Sequence, residues 1–269
     1  MTRTSILGRA VAVAAAGCLC ALAACSGAAE NAPDATTTPS PPAAASGPAS
    51  SPPPASSSAT VPAAAAAGYT ATTVRVVGDN GRARYDVTVP QVEGGDPAVA
   101  AEFDESMRAA LQDQIDGWQE SRFTLSSTDR SAVVHIGSRV LSGLLVTSWN
   151  ADPPGAHPTP LVATVVIGDD AQPITLDRLF PDLQAGLVRL SEESARLLPA
   201  TAAGPEFQRD GIEPTRDNFA NWVATPAGME IHFDDYQVGP HAIGLIVVTV
   251  PWDRLADVVA PELLGVVSS

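Results

Sequence analysis

From Tyr69 to Val77, and again from Arg84 to Val89, polar and apolar residues alternate, with β-branched side chains prominent in both runs. Between them lies Gly78-Asp79-Asn80-Gly81, whose Asn-Gly pair suits the left-handed backbone of a tight turn, so the pattern predicts a hairpin. The period then lengthens. Phe103, Met107, Leu111, Ile115 and Trp118 recur at helical spacing, with Asp104, Glu105, Arg108, Gln112 and Asp113 between them. Asp96-Pro97 supplies an N-cap and a first-turn proline, which predicts an amphipathic helix of about six turns.

Further strands are predicted over 132–136, 139–147 and 161–167. The last is almost wholly apolar, as expected of a central strand covered on both faces. After Pro173-Ile174-Thr175, the residues Leu176, Leu179, Phe180, Leu183, Leu187 and Leu190 mark a second helical face. A short helix over 215–220, strands over 222–224, 229–233 and 243–250, and a closing helix over 252–259 complete the pattern. Runs of strands broken by a few helices, without regular β-α-β alternation, predict an α+β fold. It comprises a largely antiparallel sheet or sheets with two main amphipathic helices packed against them, in one globular domain over 68–269.

The residues before this region have a different character. Arg3 and Arg9 precede an uncharged stretch, Ala10 to Ala24, too short for a comfortable membrane span. Leu22-Ala23-Ala24-Cys25 follows, the pattern of a lipobox. Residues 1–24 are expected to be a signal peptide, and Cys25 to become a diacylglyceryl-bearing N-terminus that holds the protein on the outer face of the plasma membrane. Residues 25–67 are then the lipidated end and a disordered stalk of Pro, Ala, Ser and Thr, with too little apolar surface to offset chain entropy. Mostly extended, it would reach on the order of 100 Å. Its Ser/Thr/Pro content also suits O-glycosylation, which an intact mass equal to that of the bare lipidated chain would rule out.

Charge narrows the partners. There are 30 acidic residues against 15 basic ones, all of them arginine; loss of Arg3 and Arg9 takes the net charge from −15 to −17. Such a chain lacks the clustered cations that neutralise phosphates, which excludes a nucleic-acid partner. Anionic headgroups repel it as well, leaving the lipid on Cys25 as its hold on the membrane. All three cysteines, Cys18, Cys20 and Cys25, fall in the first 25 residues, so the folded region has no disulfide, no thiolate nucleophile and no Cys-based zinc site.

Of the four histidines, His135 and His232 fall within predicted strands, where one satisfied ring nitrogen is the ordinary state. His157 and His241 lie in Gly/Pro loops, where function concentrates. No pair has the i, i+4 spacing of a helical metal site, and neither a metal nor a cofactor is expected. Asp234-Asp235-Tyr236 offers two carboxylates and a hydroxyl close in sequence to His241. The candidate ligand-binding residues are therefore His157, Asp234, Asp235, Tyr236 and His241. No G-x-S-x-G, G-x-x-x-x-G-K or G-x-G-x-x-G string occurs, and Ser142-Gly143 lacks the flanking glycine of a nucleophile elbow, so no enzyme is expected. The leading reading is an envelope binding module for a protein or envelope component. Two alternatives stand beside it. A deep apolar pocket between helix and sheet would make it a lipid or glycolipid carrier; an envelope hydrolase would use His241 with Asp234 or Asp235.

Several strings also carry a family likeness: Gly155-Ala156-His157-Pro158, Pro173-Ile174-Thr175-Leu176 running to Leu179-Phe180, the Tyr236-to-Gly244 loop, and Val250-Pro251. Across about residues 69 to 262 the chain resembles the secreted immunogenic protein family of mycobacteria and the C-terminal domain of lysozyme-sensing anti-sigma factors. The resemblance implies an α+β domain at the cell surface and, in the second group, capture of a protein ligand. The chain departs from that group in having no cytoplasmic sigma-binding segment and no spanning helix.

Overall fold

The predicted hairpin forms from β1 (Tyr69–Asp79) and β2 (Ala83–Gly94), paired antiparallel along their whole length. Its turn closes through Asn80, whose side-chain oxygen accepts from the Arg82 and Ala83 N–H groups at 3.0 and 2.7 Å, with Gly81 at φ 84°. This is a computed structural model describing residues 68–117, 121–155 and 157–269, which lie within one compact unit, Ala59–Ser269. The expected signal peptide, Cys25 and the stalk lie outside the described residues, as do Trp118 and Ala156. No helix among the described residues is long and apolar enough to cross a membrane.

Asp96 caps α1 (Pro97–Asp116), accepting from the N–H groups of Ala98 and Val99 at 2.8 and 3.4 Å. Its buried face is Phe103, Met107, Leu111 and Ile115 of the predicted stripe, extended one turn earlier by Val99. Then come β3 (Phe123–Ser127), β4 (Ala132–Ile136), β5 (Val140–Ala151) and β6 (Thr159–Gly168). β3 escaped the sequence reading because only Phe123 and Leu125 are apolar in a run ending Ser126-Ser127. It pairs parallel to β2 across the α1 connection, the one parallel pair in an otherwise antiparallel sheet.

The sequence placed residues 161–167 at the sheet's centre, and the structure places them at its rim. β5 is central: β3 and β4 share one of its edges, end to end, and β6 takes the other. β6 is apolar because its faces lie against α1 and the second sheet, with Val165–Gly168 buried and Thr159–Thr164 half-buried, while among the described residues its far edge has no strand beside it. Hydrophobicity reports covered faces and is silent about edges.

The second helical face is broken in two, α2 (Leu176–Leu179) and α3 (Leu183–Leu197). Pro181 removes a backbone donor and holds Phe180 extended, and Asp182 caps the new helix through the Ala185 N–H at 3.0 Å. A second, antiparallel sheet joins β7 (Trp222–Thr225), β8 (Gly228–His232) and β9 (Val247–Val250). The short helix expected over 215–220 is a 3-10 turn, Asp217–Phe219. Residues 252–259 likewise open with a 3-10 turn, Trp252–Arg254. The closing helix, α4 (Pro261–Val267), begins later, with Pro261 in its first turn.

Two apolar clusters result. One joins α1 to the six-stranded sheet; the other joins α3, α4 and the three-stranded sheet. Leu141 and Ile167 face the first while Val140 and Val166 face the second, so β5 and β6 serve both. Each fully buried Phe in them contributes about 2–3 kcal/mol of transfer free energy. A Cβ on Gly143 of β5 would lie 2.6 Å from Met107 Sδ and 2.8 Å from Phe103 Cζ. The Met and aromatic stripe therefore fills the helix–sheet interface. Ser142 staples the sheets together: its buried hydroxyl donates to Ala224 C=O at 2.8 Å and accepts from Ala224 N–H at 3.1 Å.

Candidate functional site

Two connections far apart in sequence meet at the surface. His157 lies on the β5–β6 connection, and Asp235, Tyr236 and His241 on the β8–β9 connection. The second is fastened at its root by Gln237. Its side-chain oxygen accepts from Asp234 N–H at 2.8 Å, and its amide donates to the carbonyls of Gly211 and Asn218 at 2.7 and 2.9 Å. Gly211 is required there, because a Cβ would collide with the Gln237 carbonyl oxygen.

On this base the rings of His157 and His241 stack, centroids 4.2 Å apart at 19°. Tyr236 leans over both, 5.7 Å from His241 and 6.3 Å from His157, its hydroxyl 3.3 Å from His157 Nε2. Its backbone is left-handed, φ 65°, and the residue is 51% exposed. Both are unusual for a bulky residue: the conformation costs of order 1 kcal/mol or more, and nothing in a core compensates it. Asp235 is the inner member, its side chain only 4% exposed, facing His241 Nδ1 at 2.8 and 3.0 Å. An Nδ1 so placed faces an acceptor-only carboxylate and donates its N–H to it, which fixes the orientation of the ring.

Four of the five expected site residues therefore come together, and Asp234 is turned elsewhere. It takes a hydrogen bond from Asn221 Nδ2 at 3.1 Å. Although the residue is exposed, crowding around its carboxyl raises its pKa, opposed by the Asn221 bond and reinforced by the charge of Asp235. Of the two acids weighed as a partner for His241, Asp235 occupies that position. The positioning residues Gln237, Asn221, Asn218 and Gly211 escaped the sequence reading, since nothing local distinguishes them from ordinary turn residues.

The other histidines stand apart. His135 Nε2 meets the Ser269 carbonyl at 2.8 Å, the satisfied strand histidine expected. His232 differs: its buried Nε2 has no hydrogen-bond partner, and burial pushes its pKa down to about 4. Glu230, 3.8 Å away, is raised by burial, so the two are not a strong ion pair at neutral pH. Among the described residues no three His, Cys, Asp or Glu side chains are placed to hold a metal ion. Nor is any Ser, Thr or Cys among them hydrogen-bonded to His241, and Ser142 is committed to its staple.

Beside the stack opens a cleft of about 570 Å³, with Asp113 and Gln114 of α1 on one side, residues 159–164 of β6 below, and Asn221, Asp234 and Asp235 opposite. A second hollow of about 380 Å³ shares Ala110, Asp113 and Thr164 with it and runs on to Arg216 and Trp222.

Residues 177–253 match the family described as "Protein of unknown function (DUF3298)". The matched stretch includes Asp235, Tyr236 and His241, while His157 lies outside it. No curated protein matches the chain. Among solved structures it is similar to a member of the DUF3298 family from Bacteroides fragilis, 13% identical with a TM-score of 0.48, over 75% of this chain and 98% of that one. It is also similar to a DUF3298 family protein from Pseudomonas aeruginosa, 14% identical with a TM-score of 0.46, over 72% of this chain and 95% of that one.

Proposed function

We propose that the protein is a lipid-anchored binding module of the cell envelope, which contacts a protein or envelope component through His157, Asp235, Tyr236 and His241. The observation that carries this is Tyr236, a half-exposed aromatic ring held in a left-handed backbone conformation over two stacked imidazoles. A ring kept exposed at a conformational cost is what a contact surface requires and what a core does not. The surface is open, which favours a macromolecular partner. The filled α1–sheet interface at Gly143 argues against a carrier with its lipid between helix and sheet. The lipid anchor rests on Leu22-Ala23-Ala24-Cys25 and belongs to the same proposal, as does the likeness to the mycobacterial immunogenic proteins and the lysozyme-sensing anti-sigma factors, the latter favouring a protein ligand.

The test is cross-linked affinity capture of the tagged full-length protein from its native host, with proteins and lipids both read by mass spectrometry. A partner recovered by the natural protein is expected to fall at least tenfold with Tyr236→Ala or His157→Ala, with circular dichroism unchanged. Equal recovery by all three proteins would overturn this surface. One observation favours a hydrolytic reading: Asp235 and His241 form the orienting half of a general-base pair. Envelope-hydrolase activity lost in His241→Ala, with the fold intact, would support that reading over the binding module.

A further inference from the structure

β6 is an outer strand, and strand geometry fixes which of its backbone groups face away from β5. Val166 C=O accepts from Ile174 N–H at 2.8 Å, and Ile167 is bridged to Pro173, so residues 173–174 cover the free edge at that end. Backbone groups on one side of a strand recur at every second residue. Val162 and Thr164 therefore also turn their N–H and C=O groups outward. Pro160 has the same parity and no N–H to offer, which is where a strand proline is tolerated. Among the described residues no backbone group pairs with the outward N–H or C=O of Val162 or Thr164; the Trp222 N–H reaches only the Thr164 side-chain hydroxyl, at 2.9 Å.

This bare length of edge is the floor of the 570 Å³ cleft. Every ionisable side chain lining it is a carboxylate. Asp235 is engaged by His241, whereas Asp113 and Asp234 stand on opposite walls, one on the α1 side of the sheet and one on the other. Small residues, Ala110 on α1, Gly117 just past its end and Ala163 on β6, leave room for a backbone to lie down.

We propose that the free edge of β6 between Pro160 and Thr164 takes up an extended polypeptide segment as an added strand, and that this segment bears adjacent lysine or arginine residues. The added strand satisfies the outward amides and carbonyls. Successive side chains of a strand point to opposite faces, so two neighbouring cations reach Asp113 on one wall and Asp234 on the other. The occupant is a separate polypeptide. Residues 26–67 of this chain contain no Arg or Lys and are rich in proline, and a second copy, at net charge −15, is repelled. The inference goes beyond the imidazole and phenol surface and does not rest on it.

The test titrates the full-length protein with a fluorescein-labelled TVRRVT peptide at low salt, followed by anisotropy. Two isomers carry N-methyl groups on one or the other alternate set of amides; charge is unchanged, and only one set can face β6. Saturable binding is expected, with one isomer weakened roughly tenfold or more and the other close to the parent. The Asp113→Asn, Asp234→Asn double variant should weaken the parent about tenfold. Val162→Pro removes an N–H that no strand uses and should abolish binding; should that variant not fold, the methylated isomers decide alone. Absence of saturable binding at millimolar peptide, or equal binding by both isomers and the parent, would overturn the proposal.

Discussion

At the scale of the residue, Tyr236 and His232 are side chains in costly states for opposite reasons. Tyr236 is strained in its backbone and exposed at its ring. Alanine there keeps the unfavourable left-handed φ, and glycine does not, so the usual order of the two substitutions inverts. Tyr236→Gly is expected to unfold at higher urea than Tyr236→Ala, by about 1 kcal/mol, with both losing the captured partner. His232 is buried without a partner for Nε2, and its pKa is lowered to about 4. The unfolded chain binds this proton near pH 6.5 and the folded chain resists it. Stability therefore falls as pH drops from about 6.5 towards about 4, by on the order of 3 kcal/mol across the window. Glu230 and Asp234, both raised by burial, act in the opposite sense. Comparing urea midpoints of the natural protein and His232→Leu at pH 7 and pH 5 isolates the histidine. The variant should lose less on acidification, and an equal loss would contradict the assignment.

At the scale of the element, the sequence was most legible where one face is buried and a cap is local. Asp96-Pro97 and the stripe from Phe103 to Ile115 announced α1, and the Asn80-Gly81 turn announced the hairpin. It was least legible where tertiary partners decide. β3 is a strand because β2 and β5 flank it, and β6 is a rim strand because, among the described residues, no strand flanks it on one side. The break at Pro181 was readable in principle, since proline forbids the helix that the leucine spacing suggests. The loop residues of the site were visible as chemistry, while their convergence depends on Gln237 and Gly211, which carry no local signal. Ser142 shows the same limit: beside Gly143 it lacks the flanking glycine of a nucleophile elbow, and nothing local shows that in the fold it joins two sheets. Ser142→Ala leaves the N–H and C=O of Ala224 buried without partners. A loss of about 2–4 kcal/mol in urea denaturation is expected, with no change in captured partner once the protein is folded.

At the scale of the whole molecule, the expected anchor depends on Cys25 and not on the folded unit. Metabolic labelling with an alkyne fatty acid should mark the natural protein and not Cys25→Ser, which should also leave the membrane fraction; labelling of the variant would refute the assignment. The fold has its own consequence for the surface. His157 precedes β6, which leans on both apolar clusters, whereas Asp235, Tyr236 and His241 hang from the second sheet, and the sheets meet through Ser142 and Ala224. The stack therefore works as a conjunction: it exists only in a molecule whose two halves have both formed and docked. A partner that reads it distinguishes finished molecules from half-made ones, and by binding only the finished state it tightens the docking that created its own site.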